Sequence, residues 1–331
     1  MTEPFDFAAY MAREGMLTPF HGEKPPAPEW FTRTVAIEPE SRFVDVEGAK
    51  IHYLRWGDRT KPGLLLVHGN GAHAYWWSFV APYLARDYNV AAMDFSGMGD
   101  SGWRKTYSVA TFSKEQLAVC EAAGMFEGSE PPVIVAHSFG GFITIHTGAM
   151  YGDRLAGTII VDSPVNPPDR PQGPPERSHK PHHIYADMAT ALSRYKLLPP
   201  QECDNPYLVD WVARHSLKEV TQENGQPGFT WKFDPHVWQN FSMGNTAEWL
   251  KATKCRIAIF RGARSILMPP EIGAFMFELL GRSSPIVTIP EAAHHVMLDQ
   301  PLALVAAIGA ILADWDHSTP TRRLPPGGQL L

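Results

Sequence analysis

Residues 132–145 read Pro-Val-Ile-Val-Ala-His-Ser-Phe-Gly-Gly-Phe-Ile-Thr-Ile, and no other stretch constrains the fold as tightly. Val133, Ile134 and Val135 are β-branched, and Val133 to Ala136 are all apolar, the composition of a strand buried on both faces. From Phe139 onward small and apolar residues continue at helical spacing. A strand that runs straight into a helix leaves one residue, Ser138, at the apex of a sharp turn. The backbone is strained there, and bulky neighbours would collide with adjoining chain. Small residues at Ala136, Gly140 and Gly141 meet that demand. Such a turn lifts the Ser138 hydroxyl at the carboxyl edge of a sheet, beside a helix N-terminus that favours developing negative charge. A serine so placed lacks a base, an acid behind the base, a second oxyanion donor and a lid.

The segments around this turn alternate between strand and helix. Residues 42–56 alternate about Gly48 and predict a β-hairpin. Residues 64–67 predict a buried strand ending in His68-Gly69-Asn70-Gly71, with a helix near 76–86. Residues 88–93 predict a strand ending in the glycine-rich loop Asp94–Ser101, with a helix over 108–124. Residues 155–161 predict a further buried strand, ending in Asp162-Ser163-Pro164. From 166 to 181 the chain turns proline-rich and polar, which marks a boundary. Helical pieces at 184–198 and 205–220 and an aromatic piece at 229–235 follow, and residues 166–248 are read as an inserted, largely helical cap. Strands at 256–262 and 286–289, a helix at 270–280 and a last helix at 301–314 resume the core. The expected fold class is α/β, a mostly parallel sheet with helices on both faces. The core is expected at 42–165 and 249–316, after an N-terminal extension over 1–41 that lies on the core. A flexible tail is expected over 317–331. In such sheets chemistry gathers at the carboxyl ends of the strands. The His68 loop, Ser138 and Asp162 all stand at strand carboxyl ends, and His294 follows the last strand.

Composition narrows the function classes. A chain of 331 residues is long enough for a large core, and its formal net charge of −6 offers no basic face to nucleic acid. Cys120, Cys203 and Cys255 are odd in number and far apart, so neither a disulfide framework nor a zinc spacing is visible, which suits a cytoplasmic location. The first residues, Met-Thr-Glu-Pro-Phe-Asp-Phe, lack the apolar core of a signal peptide, and no run reaches the apolar length of a membrane span.

Four features in order give the chain a family resemblance. They are His68-Gly69-Asn70-Gly71, the loop from Asp94 through Gly97-Met98-Gly99-Asp100-Ser101, the elbow Ala136-His137-Ser138-Phe139-Gly140-Gly141, and Ala293-His294 with Pro301 seven residues on. Over residues 42–315 the chain resembles the α/β-hydrolase family, with a cap inserted after the strand that follows the elbow. The resemblance implies Ser138 as nucleophile, His294 as base rather than its neighbour His295, and no cofactor or metal. It also implies oxyanion donors at Phe139 N–H and at the His68-Gly69-Asn70 turn, here Asn70. His137, next to the nucleophile, is expected to support the elbow from beneath.

The acid departs from the common pattern of the family. Most members carry aspartate in the loop after the strand that ends here at Gly262, where this chain has Ser265. Serine has no charge with which to stabilise an imidazolium. Asp162 offers a replacement. It follows Ser138 by 24 residues, about one helix, a turn and a strand, so it should end the neighbouring parallel strand. The branch that includes haloalkane dehalogenases resembles this in taking its acid from that strand end. Glu271 and Asp299 are weaker candidates.

The expected activity is hydrolysis of a carboxylic ester of a small or medium apolar substrate through an acyl-enzyme. Amide, lactone and C–C bond hydrolysis and perhydrolysis by the same triad are alternatives. A non-catalytic ligand-binding protein, suggested by Ser265, is the rival from another class. Trp76, Tyr185, Trp211, Trp238 and Met297 are expected to line an apolar substrate pocket. The run Ser178-His179-Lys180-Pro181-His182-His183 reads as a solvated cap loop rather than a metal cluster. Oligomeric state is left open.

Overall fold

The computed structural model describes residues 7–128, 130–169, 182–222, 224–239 and 241–318. The core is one eight-stranded sheet. Its strands are β1 (Glu40–Val46), β2 (Ala49–Trp56), β3 (Gly63–Val67), β4 (Asn89–Met93), β5 (Val133–His137), β6 (Gly157–Val161), β9 (Arg256–Gly262) and β10 (Ile286–Ile289). The inserted segment supplies β7 (Leu217–Thr221) and β8 (Pro227–Trp231). The spatial order in the large sheet is β1-β2-β4-β3-β5-β6-β9-β10. β2 runs antiparallel to both β1 and β4, and every pair from β4 to β10 is parallel. The β1–β2 hairpin closes through Glu47 and Gly48, both at positive φ, the two-residue turn that matches strand twist.

The central strands read as unbroken apolar runs because both faces are covered. Alternate residues go to opposite sides: Leu64, Leu66, Val133 and Val135 to one cluster, and Leu65, Val67, Ile134 and Ala136 to another. All residues of β3, β4, β5 and β6 are buried. Register then decides where the loops emerge. Val67 faces Ala136, His137 faces Val161, and Val161 faces Phe260. The ladder runs one step past the strands, where Ser138 N–H donates to the Val161 carbonyl and Asp162 N–H to the Phe260 carbonyl. His68, Ser138 and Asp162 therefore leave the sheet side by side at one edge.

The segment between β6 and β9 combines the helices Met188–Ser193 and Pro206–His215 with the β7–β8 hairpin. The expected largely helical cap is thus mixed. The helix expected over 205–220 stops at His215, because residues 217–221 pair with β8. The helix expected near 76–86 is also shorter, a 3-10 turn at Ala74–Trp76 and a helix at Ala81–Leu84. Several bonds seat the inserted segment on the loops of the carboxyl edge. Tyr107 OH donates to Asp234 Oδ2 at 2.6 Å, Asp234 N–H donates to the Gly97 carbonyl, and Lys232 pairs with Asp100. His73 Nε2 lies 2.9 Å from Ser216 Oγ.

The N-terminal segment lies across the inserted segment as well as the core. Gly15 N–H donates to the Ser193 carbonyl and Tyr10 OH to the Leu197 carbonyl, while Phe31 packs beside Phe79, Tyr207 and Trp211. The last helix, Pro301–Ser318, covers the start of the expected tail, and its remainder lies outside the described residues. Among the described residues no helix is long and apolar enough to cross a membrane.

Candidate active site

Ser138 stands between β5 and the helix Phe139–Tyr151 at φ 52° and ψ −120°, a backbone conformation costly for a residue with a side chain. The bonds on either side hold it there: Ser138 N–H donates to Val161, and the Ser138 carbonyl accepts from Gly141 and Phe142. The small neighbours have specific causes. A Cβ on Gly140 would collide with the His68 carbonyl oxygen and lie 2.8 Å from Val67 Cγ1, and one on Gly141 would collide with Ser163. Gly69 lies on the other flank with a little more room, where a Cβ would sit 3.2 Å from Ser138 Cβ.

Three side chains form a hydrogen-bonded line. Ser138 Oγ is 2.9 Å from His294 Nε2, and His294 Nδ1 is 2.8 Å from Asp162 Oδ1. Asp162 and His294 are buried, while Ser138 keeps partial exposure. With Nδ1–H donated to a carboxylate, the His294 Nε2 lone pair faces the serine hydroxyl, the arrangement that lets imidazole accept its proton.

Asp162 comes from the end of β6, at φ 49°, and His294 from the loop after β10. Two further donors hold the carboxylate. Gly262 N–H binds Oδ2 at 2.7 Å, and Ser265 Oγ–H binds Oδ1 at 2.6 Å. A buried carboxylate needs such partners to offset its lost hydration. Ser265, at the position where the family pattern expects the acid, thus supports the acid one strand away, and its Oγ also accepts Met268 N–H. Of the weaker candidates, Asp299 accepts Ala293 N–H rather than the His294 ring, and Glu271 lies in the first turn of the helix Pro270–Leu279.

The surrounding imidazoles are held neutral. His137 Nε2 is 2.9 Å from the His294 carbonyl oxygen, so this residue beneath the elbow also steadies the His294 backbone. Burial, reinforced by the nearby His294, keeps His137 and His295 well below the usual histidine range. Burial likewise lowers His68. His68 Nε2 accepts Phe95 N–H, so its protonated Nδ1 donates to the Gly69 carbonyl at 2.6 Å. In a trans peptide the N–H points opposite to the C=O, so His68 also directs Asn70 N–H away from itself. Phe139, first in its helix, has no intrahelical acceptor for its N–H.

The five expected pocket residues have separate surroundings. The Trp238 ring packs on Phe139 at 5.0 Å, and the Trp76 ring on His295 at 5.2 Å, each against a residue next in sequence to a member of the line. Phe241 packs on Phe139 as well. Trp211 Nε1–H donates to Ser78 Oγ among Phe31, Tyr75 and His215, and Tyr185 packs against Trp231 and His183. Met297 is wholly buried.

His137, His294 and His295 bring ring nitrogens within 4.8 Å of one another. Tetrahedral zinc at 2.0–2.1 Å from nitrogen spaces its ligands about 3.4 Å apart. Both His294 nitrogens and His137 Nε2 are already committed to other partners, so this conformation does not suit a metal. Part of the expected cap loop at 178–183 lies outside the described residues. Within it His182 Nε2 is 3.0 Å from the Phe233 carbonyl.

The model of the alpha/beta hydrolase family matches residues 64–308. Among curated proteins, the chain is 29% identical to Lipase LipV of Mycobacterium tuberculosis over 115 residues, 35% of this chain and 42% of that protein. It is 28% identical to Epoxide hydrolase A of the same organism over 145 residues, 43% of this chain and 44% of that protein. It thus spans under half the length of these two. It is 25% identical to Probable protein phosphatase methylesterase 1 of Caenorhabditis elegans over 316 residues, 87% of this chain and 82% of that protein. The thioesterase domain from the curacin biosynthetic pathway superposes with a TM-score of 0.66 at 23% identity, covering 82% of this chain and 99% of that one. An esterase from Mycobacterium tuberculosis superposes with a TM-score of 0.62 at 20% identity, covering 95% and 100%. At these identities the superpositions speak for the fold.

Proposed function

The chain belongs to the alpha/beta hydrolase family, and on that premise we propose that it is a serine hydrolase acting on carboxylic esters of small or medium apolar substrates. The observation that carries this reading is the line Ser138–His294–Asp162, with contacts of 2.9 and 2.8 Å. Ser138 attacks the ester carbonyl while His294 Nε2 takes its proton. Asp162 keeps the imidazole in the reactive tautomer and stabilises its positive form. The oxyanion is received by the N–H groups of Phe139 and Asn70, the second aimed by His68. His294 then protonates the leaving alcohol, and water resolves the acyl-enzyme by the same steps in reverse roles. The inserted segment acts as a cap, and Trp238, Phe241 and Trp76 give the acyl side its apolar wall.

The relatives' names include both ester and epoxide hydrolysis. Epoxide opening in this fold proceeds through an alkyl ester on a carboxylate nucleophile, and a serine at the elbow cannot form one, so acyl transfer is favoured. The reading of a non-catalytic binder rested on Ser265, whose hydroxyl is engaged on Asp162. A fluorophosphonate probe tests the proposal. Mass spectrometry is expected to find the adduct on Ser138, with parallel loss of activity towards a short-chain p-nitrophenyl ester. Absence of both adduct and hydrolysis in folded protein would refute it.

A further inference from the structure

The backbone around His294 is gripped from two directions. Its carbonyl accepts the imidazole N–H of His137, which belongs to the elbow strand. The N–H of the same peptide unit, on His295, donates to Gln201 Oε1 at 2.8 Å. Gln201 belongs to the inserted segment, 94 residues away in sequence. Its amide nitrogen meanwhile reaches both carboxylate oxygens of Asp299 at 3.1 Å. Asp299 Oδ2 in turn accepts Ala293 N–H at 2.7 Å, on the other side of the histidine. One amide side chain therefore closes a ring of hydrogen bonds that contains the N–H groups of Ala293 and His295, the residues on either side of His294. An amide suits this position because it presents an acceptor and a donor at once, to a backbone N–H and to a carboxylate.

We infer that Gln201 is a positioning residue that sets His294 through its backbone, coupling the seating of the inserted segment to the alignment of the base. The inference rests on the proposed role of His294 and deepens it. The base is in register with Ser138 and Asp162 when the stretch around Gln201 is docked on the His294 loop, and it loses one of its two peptide anchors when that stretch lifts. Hydrolysis and cap seating are then one event, which keeps the nucleophile idle while the site is open. A neighbouring contact provides the control. Asn205 Nδ2 donates to the carbonyls of Leu298 and Asp299, holding the inserted segment to the short helix Val296–Asp299 without touching a peptide group of His294.

The test compares Gln201→Ala and Gln201→Glu with Asn205→Ala, in the full chain, by steady-state kinetics on a p-nitrophenyl ester and by proton NMR of the downfield His294 Nδ1–H signal. Gln201→Ala is expected to lower kcat by about 10- to 100-fold, the scale of a misplaced catalytic group, with KM within about twofold and the downfield signal shifted or broadened. Gln201→Glu keeps the acceptor for His295 N–H but sets a second carboxylate against Asp299, and should fall at least as far. Asn205→Ala is expected to lower the unfolding midpoint while leaving kcat and the signal in place. Unchanged kcat and signal in both Gln201 variants would overturn the inference, as would equal kcat losses in Gln201→Ala and Asn205→Ala, which would mark general loosening. A wild-type protein without ester hydrolysis whose Nδ1–H signal still moves in Gln201→Ala would sink the esterase reading and leave the brace standing.

Discussion

Asp162 Oδ1 carries two donors, the His294 imidazole and the Ser265 hydroxyl, within 2.8 Å. That sharing explains how a chain can lack an aspartate at 265 and still present a carboxylate to its histidine. It also sets the expected effect of changing Ser265. Ser265→Ala removes one of three donors to a buried carboxylate and leaves the other two, so kcat should drop modestly, by about 3- to 10-fold, in proportion to one hydrogen bond. Ser265→Asp should do more damage, because two carboxylates at hydrogen-bond distance cannot both ionise and the shared proton would compete with His294 for Asp162. The ranking wild type, then Ala, then Asp in ester-hydrolysis assays checks the account. An Asp variant as active as wild type would contradict it.

The elbow joins β5 to its helix with no slack, and its glycines are fitted to named neighbours. A methyl group on Gly141 would collide with Ser163 Oγ and lie 2.7 Å from Ser163 Cβ. Gly141→Ala should therefore destabilise the fold by about 1–3 kcal/mol, and Ser163→Gly in the same chain should recover part of that loss in a urea titration. The elbow was readable in the sequence because its strand, apex and small flanking residues are contiguous, and each answers to local sterics. Asp162 could be nominated from spacing and the family resemblance together, since one helix and one strand bring the chain back beside Ser138 and a branch of the family takes its acid from that strand end. The supports of the site were not readable in this way. Ser265 on Asp162, Gln201 on the His295 peptide and Phe241 on Phe139 are contacts between segments about 100 residues apart, and no periodicity marks them. The helix expected over 205–220 overran for a related reason. Leu217–Thr221 follows the helix directly, and only its distant pairing with β8 makes it a strand.

Over the whole molecule the polar interior makes stability depend on pH. His68, His73, His137 and His295 are buried, and burial lowers all four, His73 to about 3. In the unfolded chain each would take up a proton near about pH 6.5. The unfolded state then binds more protons than the folded one, so this stability is complete above about pH 6.5 and lost as pH falls, by up to about 1.4 kcal/mol per pH unit for each histidine. Asp94 extends the trend to lower pH. Burial works against its ionised form, but the hydrogen bond from His52 holds it down to about 2. Its contribution is therefore present above about pH 4 and lost below. Urea midpoints measured from pH 8 to pH 5 should be level at first and then fall steadily. A stability maximum near pH 5 would contradict this reading. The central claim is that Asp162, at the end of β6, is the acid behind His294. The most direct measurement is kcat/KM of Asp162→Asn towards a short-chain p-nitrophenyl ester, in protein whose fold is verified by circular dichroism. The account predicts a loss of about 10³-fold or more, the scale expected when the imidazole loses its orienting carboxylate. Activity within tenfold of wild type would contradict it.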